Sequence, residues 1–73
     1  MEKSFYYLVP VERVNRMQRK FLYLDIPYFL EAPGQRLLVP ENYVAFVFPD
    51  LPVKQYAILR LIFGFDGLPY PSQ

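Results

Sequence analysis

Proline is the feature that most limits what this 73-residue chain can fold into. Each of the eight prolines lacks a backbone N–H donor and pushes the preceding residue towards extended geometry, so long helices and long strands are excluded. They stand at Pro10, Pro27, Pro33, Pro40, Pro49, Pro52, Pro69 and Pro71. No repeat or low-complexity linker divides the chain. The sequence therefore predicts one small domain over residues 1–65, followed by a proline-containing tail over residues 66–73.

Aromatic side chains are what allow so short a chain to fold. By the scaling of surface with mass, a chain of this length buries roughly 62% of its unfolded surface, which leaves a single thin core. The chain has no cysteine and no histidine, so neither a disulfide nor a Cys/His zinc site braces that core. Seven Phe and seven Tyr supply apolar area instead, because each ring buries about 150–250 Å².

Four segments have the β-branched and aromatic composition of strands, and they cover residues 4–9, 21–26, 36–40 and 42–49. A Pro-Gly turn closes the segment 28–35 that precedes the third of them. The fourth segment is apolar on both faces, with Tyr43, Ala45 and Val47 on one and Val44, Phe46 and Phe48 on the other. Such a strand is predicted to be central, or covered on both sides.

The basic segment 11–20 has the first helical pattern. Val11, Val14 and Met17 recur every three residues and Phe21 follows four later, which favours a short amphipathic helix. A long twisted hairpin that joins residues 4–14 to residues 19–26 is the alternative.

The second helix is predicted from Val53 to Phe63, and a strand over residues 58–63 is its alternative. Asp50 is expected to cap its amino end, Pro52 suits its first turn, and Gly64 stands where a left-handed terminator belongs. Its three polar residues do not form one clean polar face, so this helix is either nearly buried or presents an apolar patch to a partner.

Together these elements predict an α+β fold, namely a small antiparallel sheet of three or four strands with one carboxy-terminal helix. The helical interpretation of residues 11–20 adds a short basic helix near the amino terminus. The tail over residues 66–73 has a proline on each side of Tyr70. We expect polyproline-like geometry there, and we expect the tail to continue neither helix nor sheet.

The residue inventory argues against catalysis. Nucleophilic catalysis requires Ser, Thr or Cys beside a base, but the chain has no His, Cys or Thr, and its two serines are Ser4 and Ser72. The seven carboxylates are scattered, and the three glycines cannot form a phosphate-binding loop. We therefore expect a protein that is not an enzyme and that uses no cofactor or metal.

Half of the positive charge of the chain lies in eight residues, at Arg13, Arg16, Arg19 and Lys20. The planar guanidinium group binds both phosphate and carboxylate in bidentate fashion, so the cluster indicates contact with nucleic acid or with an acidic protein surface. A solvated helix face with no partner is the competing interpretation. Nucleic-acid binding as the main activity is disfavoured, because the net charge is only +1.

Apolar side chains exceed what one small core can hide, and exposed apolar patches on small proteins mark partner sites. The candidate contact residues are Tyr56, Phe63, Phe65 and Tyr70, together with the basic cluster. A second copy of the same chain is the alternative partner. No apolar run reaches the roughly 18–20 residues that span a bilayer, and the amino terminus lacks a signal-peptide cleavage site, so we expect a cytoplasmic protein.

In its short aromatic character, its lack of Cys and His, its basic segment near residues 13–20 and its proline-bearing tail, the chain resembles the small RNA-polymerase-binding regulators of lytic Xanthomonas phages. The likeness covers the full length but contains no motif that maps residue by residue. It implies a non-enzymatic protein that binds the two largest subunits of host RNA polymerase, displaces the σ factor and promotes antitermination. A small nucleic-acid-binding protein and a homo-oligomeric structural phage protein are the alternatives.

Overall fold

The computed structural model describes residues 2–33 and 37–71, and within them it confirms the predicted α+β fold. A turn of 3-10 helix (Val11–Arg13) links the first strand to the first helix. In chain order, the elements of the described part are β1 (Phe5–Pro10), α1 (Val14–Leu24), β2 (Phe29–Glu31), β3 (Tyr43–Phe48), α2 (Val53–Phe63) and β4 (Leu68–Pro69).

The four strands form one antiparallel sheet in the order β2-β3-β1-β4. The longest pairing joins β1 to β3, from Phe5 opposite Phe48 to Pro10 opposite Tyr43. The prediction that the strand at 42–49 is central, or covered on both sides, is confirmed, because β3 lies between β2 and β1 and its residues 45–48 are fully buried.

Both helices pack on one face of the sheet. Phe21 of α1 and Leu59 of α2 are fully buried there against side chains of β1 and β3. The ring of Phe21 meets Phe48 edge-on, with ring centres 5.5 Å apart. This cluster of aromatic rings is the main core of the protein.

A second apolar cluster covers the opposite face of the sheet. Leu37 and Val39 are buried there against Ala45 and Val47 of β3. The predicted strand over residues 36–40 is therefore wrong in its described residues 37–40, which form no strand. The alternation of buried and exposed side chains, with Leu38 pointing out, arises because this segment covers the face of the sheet instead of pairing at its edge.

The first helix is longer than the sequence predicts. The helical interpretation of residues 11–20 is confirmed, but the predicted strand over 21–26 is wrong, since α1 continues to Leu24. The apolar spacing continues through Phe21 and Leu24, so the aromatic and aliphatic residues of this segment extend the buried stripe of the helix. Asp25 ends the helix in the left-handed conformation, with φ 58°.

The second helix has the predicted bounds, and the strand alternative for residues 58–63 is excluded. Gly64 terminates it at φ 87°, where its N–H donates to the carbonyl of Arg60 over 2.7 Å. The predicted Asp50 cap is wrong. Pro52 occupies the capping position without a side-chain hydrogen bond, and Asp50 lies two residues too early to serve there.

The tail contributes an edge strand, so the expectation that it joins no sheet is wrong. Leu68 and Pro69 pair with the free edge of β1, and the N–H of Tyr70 donates to the carbonyl of Ser4 over 3.0 Å. Pro69 is tolerated because an edge strand needs only one set of its backbone groups in the ladder. The predicted turn at Pro33-Gly34 falls partly outside the described residues.

Two leucines of α2 differ in burial, and substituting each of them tests how the helix is oriented on the sheet. Leu59 is 0% exposed and Leu61 is 85% exposed. Leu59→Ala should lower the free energy of unfolding by about 2–5 kcal/mol. Leu61→Ala should change it by less than about 0.5 kcal/mol. Chemical denaturation followed by circular dichroism measures both, and equal effects of the two substitutions would contradict the helix orientation.

Candidate functional site

Contacts at both ends place α1 and α2 next to each other on the same face of the sheet. The two helices lie side by side in opposite directions on the sheet. At one end, the Gln55 side-chain amide donates to the carbonyl of Asp25 over 3.4 Å. At the other end, Arg13 and Met17 line the same groove as Ile62. The two helices are therefore neighbours, but their exposed sides differ in chemistry, with apolar side chains on α2 and basic ones on α1.

The outward side of α2 carries a row of apolar side chains that the fold leaves uncovered. Val53, Ala57 and Leu61 are four residues apart and exposed, and Phe65 continues the row beyond the end of the helix with 56% of its surface exposed. We call these four residues the α2 apolar row. They supply exposed apolar surface of the kind that marks partner sites on small proteins.

Phe65 stands between two shallow grooves. One, of about 390 Å³, runs beside Ala57, Leu61 and Gly64 on α2. The other, of about 160 Å³, lies where β1 meets the two helices, and Arg13 and Phe63 are among its lining residues. The structure thus brings together Arg13, Phe63 and Phe65, three of the residues that the sequence indicates as candidates.

Tyr7, in the main core, fixes the backbone at Phe65. Its hydroxyl donates to the Phe65 carbonyl over 2.8 Å, and its ring stacks on Phe63 with ring centres 3.9 Å apart. Burial, with smaller contributions from nearby Tyr56 and Asp66, raises the pKa of Tyr7 to about 12. An ion pair between Arg60 and Asp66, 2.7 Å apart, braces the same turn from outside.

Three of the four residues of the basic cluster lie on the outward side of α1, and Arg13 lies in the 3-10 turn before it. Arg16, Arg19 and Lys20 are exposed, and Tyr23 projects among them with 89% of its surface exposed. Within residues 2–33 and 37–71, none of these three cations forms an ion pair, and neither does Arg13. The positive charge of this face is therefore available to a partner.

The other predicted contact residues are mainly structural. Tyr56 meets Phe5 edge-on, with ring centres 5.1 Å apart, and Phe63 belongs to the main core. Tyr70 packs on the opposite face of the sheet, away from the helices. Of the four aromatic candidates, Phe65 is the one with more than half of its surface exposed.

Sequence reasoning missed Val53, Ala57, Leu61 and Tyr23. The lack of a polar face on α2 is the signal that pointed to an apolar patch, but it did not show which side of the helix faces outwards. Tyr23 was missed because residues 21–26 have the composition of a strand. The helical spacing does reach Phe21, and continuing the helix one turn beyond it would have placed Tyr23 on the exposed side.

On the face of the sheet opposite the helices, the buried carboxylate of Glu31 binds Lys3 and Tyr70, which lie near the two ends of the chain. The Lys3 ammonium and the Tyr70 hydroxyl each lie 2.6 Å from the same oxygen, Oε2 of Glu31. The Lys3 ammonium also lies 5.7 Å and 5.3 Å from the ring centres of Phe29 and Tyr70. The hydrogen bond to Glu31 raises the pKa of Lys3. We interpret this cluster as a structural clamp.

In the described ranges, no group of three or more acidic side chains is placed to hold a metal ion. Neither helix there has the length and apolar character needed to cross a membrane. Comparison with protein-family models, with curated proteins and with solved structures finds no match to the chain.

The raised pKa of Tyr7 predicts a loss of stability in alkali. The unfolded chain releases this proton near pH 10 whereas the folded protein retains it to about pH 12, so the free energy of unfolding should fall between these values. The Tyr7 contribution is roughly 2–3 kcal/mol. Tyr7→Phe should lose less stability than the parent protein over this range, as measured by urea denaturation at each pH.

Tyr23→Phe is the matched control for this experiment, since it removes a hydroxyl from an exposed ring that makes no hydrogen bond within residues 2–33 and 37–71. Identical pH dependence in Tyr7→Phe and the parent protein would show that the Tyr7 hydroxyl is not buried as described.

Proposed function

We propose that the chain works by docking on another protein through the α2 apolar row and the grooves beside Phe65. One observation carries this proposal. After Leu59 and its neighbours have filled the core, α2 still exposes Val53, Ala57 and Leu61 on its outer side. Exposing such a row costs solubility without stabilising the fold, and a partner that covers it gains apolar contact.

The surroundings of the row indicate the chemistry of the partner. Arg13 lines the smaller groove, and Lys54 is exposed beside the row on α2, whereas Arg60 is already paired with Asp66. A matching partner surface has an apolar centre with carboxylates around it, since charges at the rim of an interface guide association and orientation. A standard interface takes about 800 Å² from each partner, which is about 15% of the 5289 Å² surface of this protein.

We propose bacterial RNA polymerase as that partner, on the basis of the resemblance to phage polymerase-binding regulators. In this role the protein binds the large polymerase subunits in the cytoplasm of the host bacterium. It inhibits initiation by displacing σ and promotes antitermination. Such a regulator needs affinity and shape rather than catalytic groups, and this chain is rich in interface side chains and poor in nucleophiles.

Self-association through the same row is the competing explanation. Two copies related by a twofold axis would bury Leu61 against its counterpart, as in the common isologous dimer. Sedimentation velocity separates the two: a monomer over the concentration range used for polymerase binding supports docking on a different protein.

The docking prediction is tested with purified bacterial RNA polymerase, both core enzyme and σ-containing holoenzyme. The immobilised protein should capture core enzyme, and adding it should reduce promoter-dependent transcription. Leu61→Asp should weaken capture at least tenfold, because it places a charge in the centre of an apolar contact.

Leu38→Asp is the matched control, because Leu38 is 96% exposed and lies on the segment that covers the opposite face of the sheet. It should bind polymerase as the parent protein does. Polymerase capture that survives Leu61→Asp would overturn the assignment of the surface, and no capture by the parent protein would overturn the assignment of the partner.

A further inference from the structure

We propose that the outward face of α1 binds single-stranded nucleic acid, with Tyr23 stacking on a base while Arg16, Arg19 and Lys20 contact phosphates. This second surface is distinct from the α2 apolar row. The proposal does not depend on polymerase as the protein partner, since it concerns the isolated chain.

The helix geometry places the aromatic ring among the charges. Tyr23 follows Arg16 by seven residues, Arg19 by four and Lys20 by three, so all four side chains share one side of α1. They span about 10 Å along the helix axis at a rise of 1.5 Å per residue. That length matches a few nucleotides of a flexible strand.

The charges on this face are not neutralised by the protein. In the described part of the chain, the acidic side chains that form ion pairs lie elsewhere, with Glu31 bound to Lys3 and Asp66 bound to Arg60. Glu12 precedes Arg16 by one turn and is exposed, and it forms no ion pair in these ranges. An anionic ligand therefore meets three free cations, although the chain as a whole carries a net charge of only +1.

The setting of Tyr23 favours nucleic acid over an acidic protein surface. Aromatic hot spots of protein interfaces sit in packed apolar pockets. Tyr23 instead stands on the outside of a helix with cations on its own side, and it lines neither of the two grooves beside Phe65. Bases offer a flat ring for stacking and phosphates offer charge, so one strand satisfies both kinds of side chain.

A single strand suits this face better than a duplex. In a duplex the base faces are stacked on each other and closed to a tyrosine, whereas an unpaired strand exposes them. Three phosphate contacts without base-edge hydrogen bonding give modest affinity and little sequence preference.

The test is fluorescence anisotropy with the full chain and a fluorescein-labelled 12-nucleotide oligo(dT) or oligo(rU). We expect saturable binding with a dissociation constant of about 1–100 µM at 50 mM salt. With three phosphate contacts, log affinity should fall with log salt at a slope of about −2. Binding at 200 mM salt should then be roughly 20-fold weaker.

Two variants separate the contributions of charge and stacking. The triple variant Arg16→Ala, Arg19→Ala, Lys20→Ala should lose binding, whereas Tyr23→Ala should weaken it about 5-fold or more without changing the salt slope. Tyr23→Phe should bind as the parent protein does. Lys54→Ala on α2 is the control for removing an exposed cation, and circular dichroism verifies the fold of each variant.

Either of two results would overturn this proposal. Equal affinity for a 12-base-pair duplex, together with no effect of Tyr23→Ala, would reduce the face to nonspecific phosphate contact. No oligonucleotide binding but capture of a polyglutamate peptide would assign the face to an acidic protein. Loss of polymerase binding in Leu61→Asp with oligonucleotide binding retained would separate this surface from the docking surface.

Discussion

The pairing of β3 with β1 is the constraint on which the rest of the structure depends. Because β3 is apolar on both faces, the pair has to be covered twice: Phe46 and Phe48 face the helices, and Ala45 and Val47 face the segment around Leu37. Two apolar layers on one pair of strands give a chain without disulfides or metal more burial than a one-sided sheet would.

Much of the fold could be predicted from local patterns, and the errors have a common cause. The two-faced apolar character of β3 and the glycine that ends α2 are local signals, and both were correct. The composition of residues 21–26 is strand-like, yet Phe21 completes the core only on a helix, where it meets Phe46 and Phe48. In this segment tertiary contacts, and not local composition, determine the secondary structure. The same holds for β4, which forms because the outer edge of β1 is open for pairing.

The candidate surface was only partly predictable for the same reason. The sequence indicates that α2 has apolar residues on all sides, but the rotation of the helix is set by the burial of Leu59. That rotation turns Tyr56 and Phe63 inwards, and Leu61 outwards. The basic cluster could be predicted because its four residues are close together in the sequence, whatever the fold. The sheet thus provides the stable core, and the outer sides of the helices carry the surfaces that we propose for docking.

Hydroxyl-radical footprinting of the protein with and without purified bacterial RNA polymerase tests the central claim most directly, because it reports the accessibility of individual side chains. Polymerase should protect Leu61 and Phe65 from oxidation and leave Leu38, on the opposite side of the sheet, as reactive as in the free protein. Protection of Leu38 with unchanged oxidation of Leu61 and Phe65 would show that the protein docks through the other face, and would contradict this account.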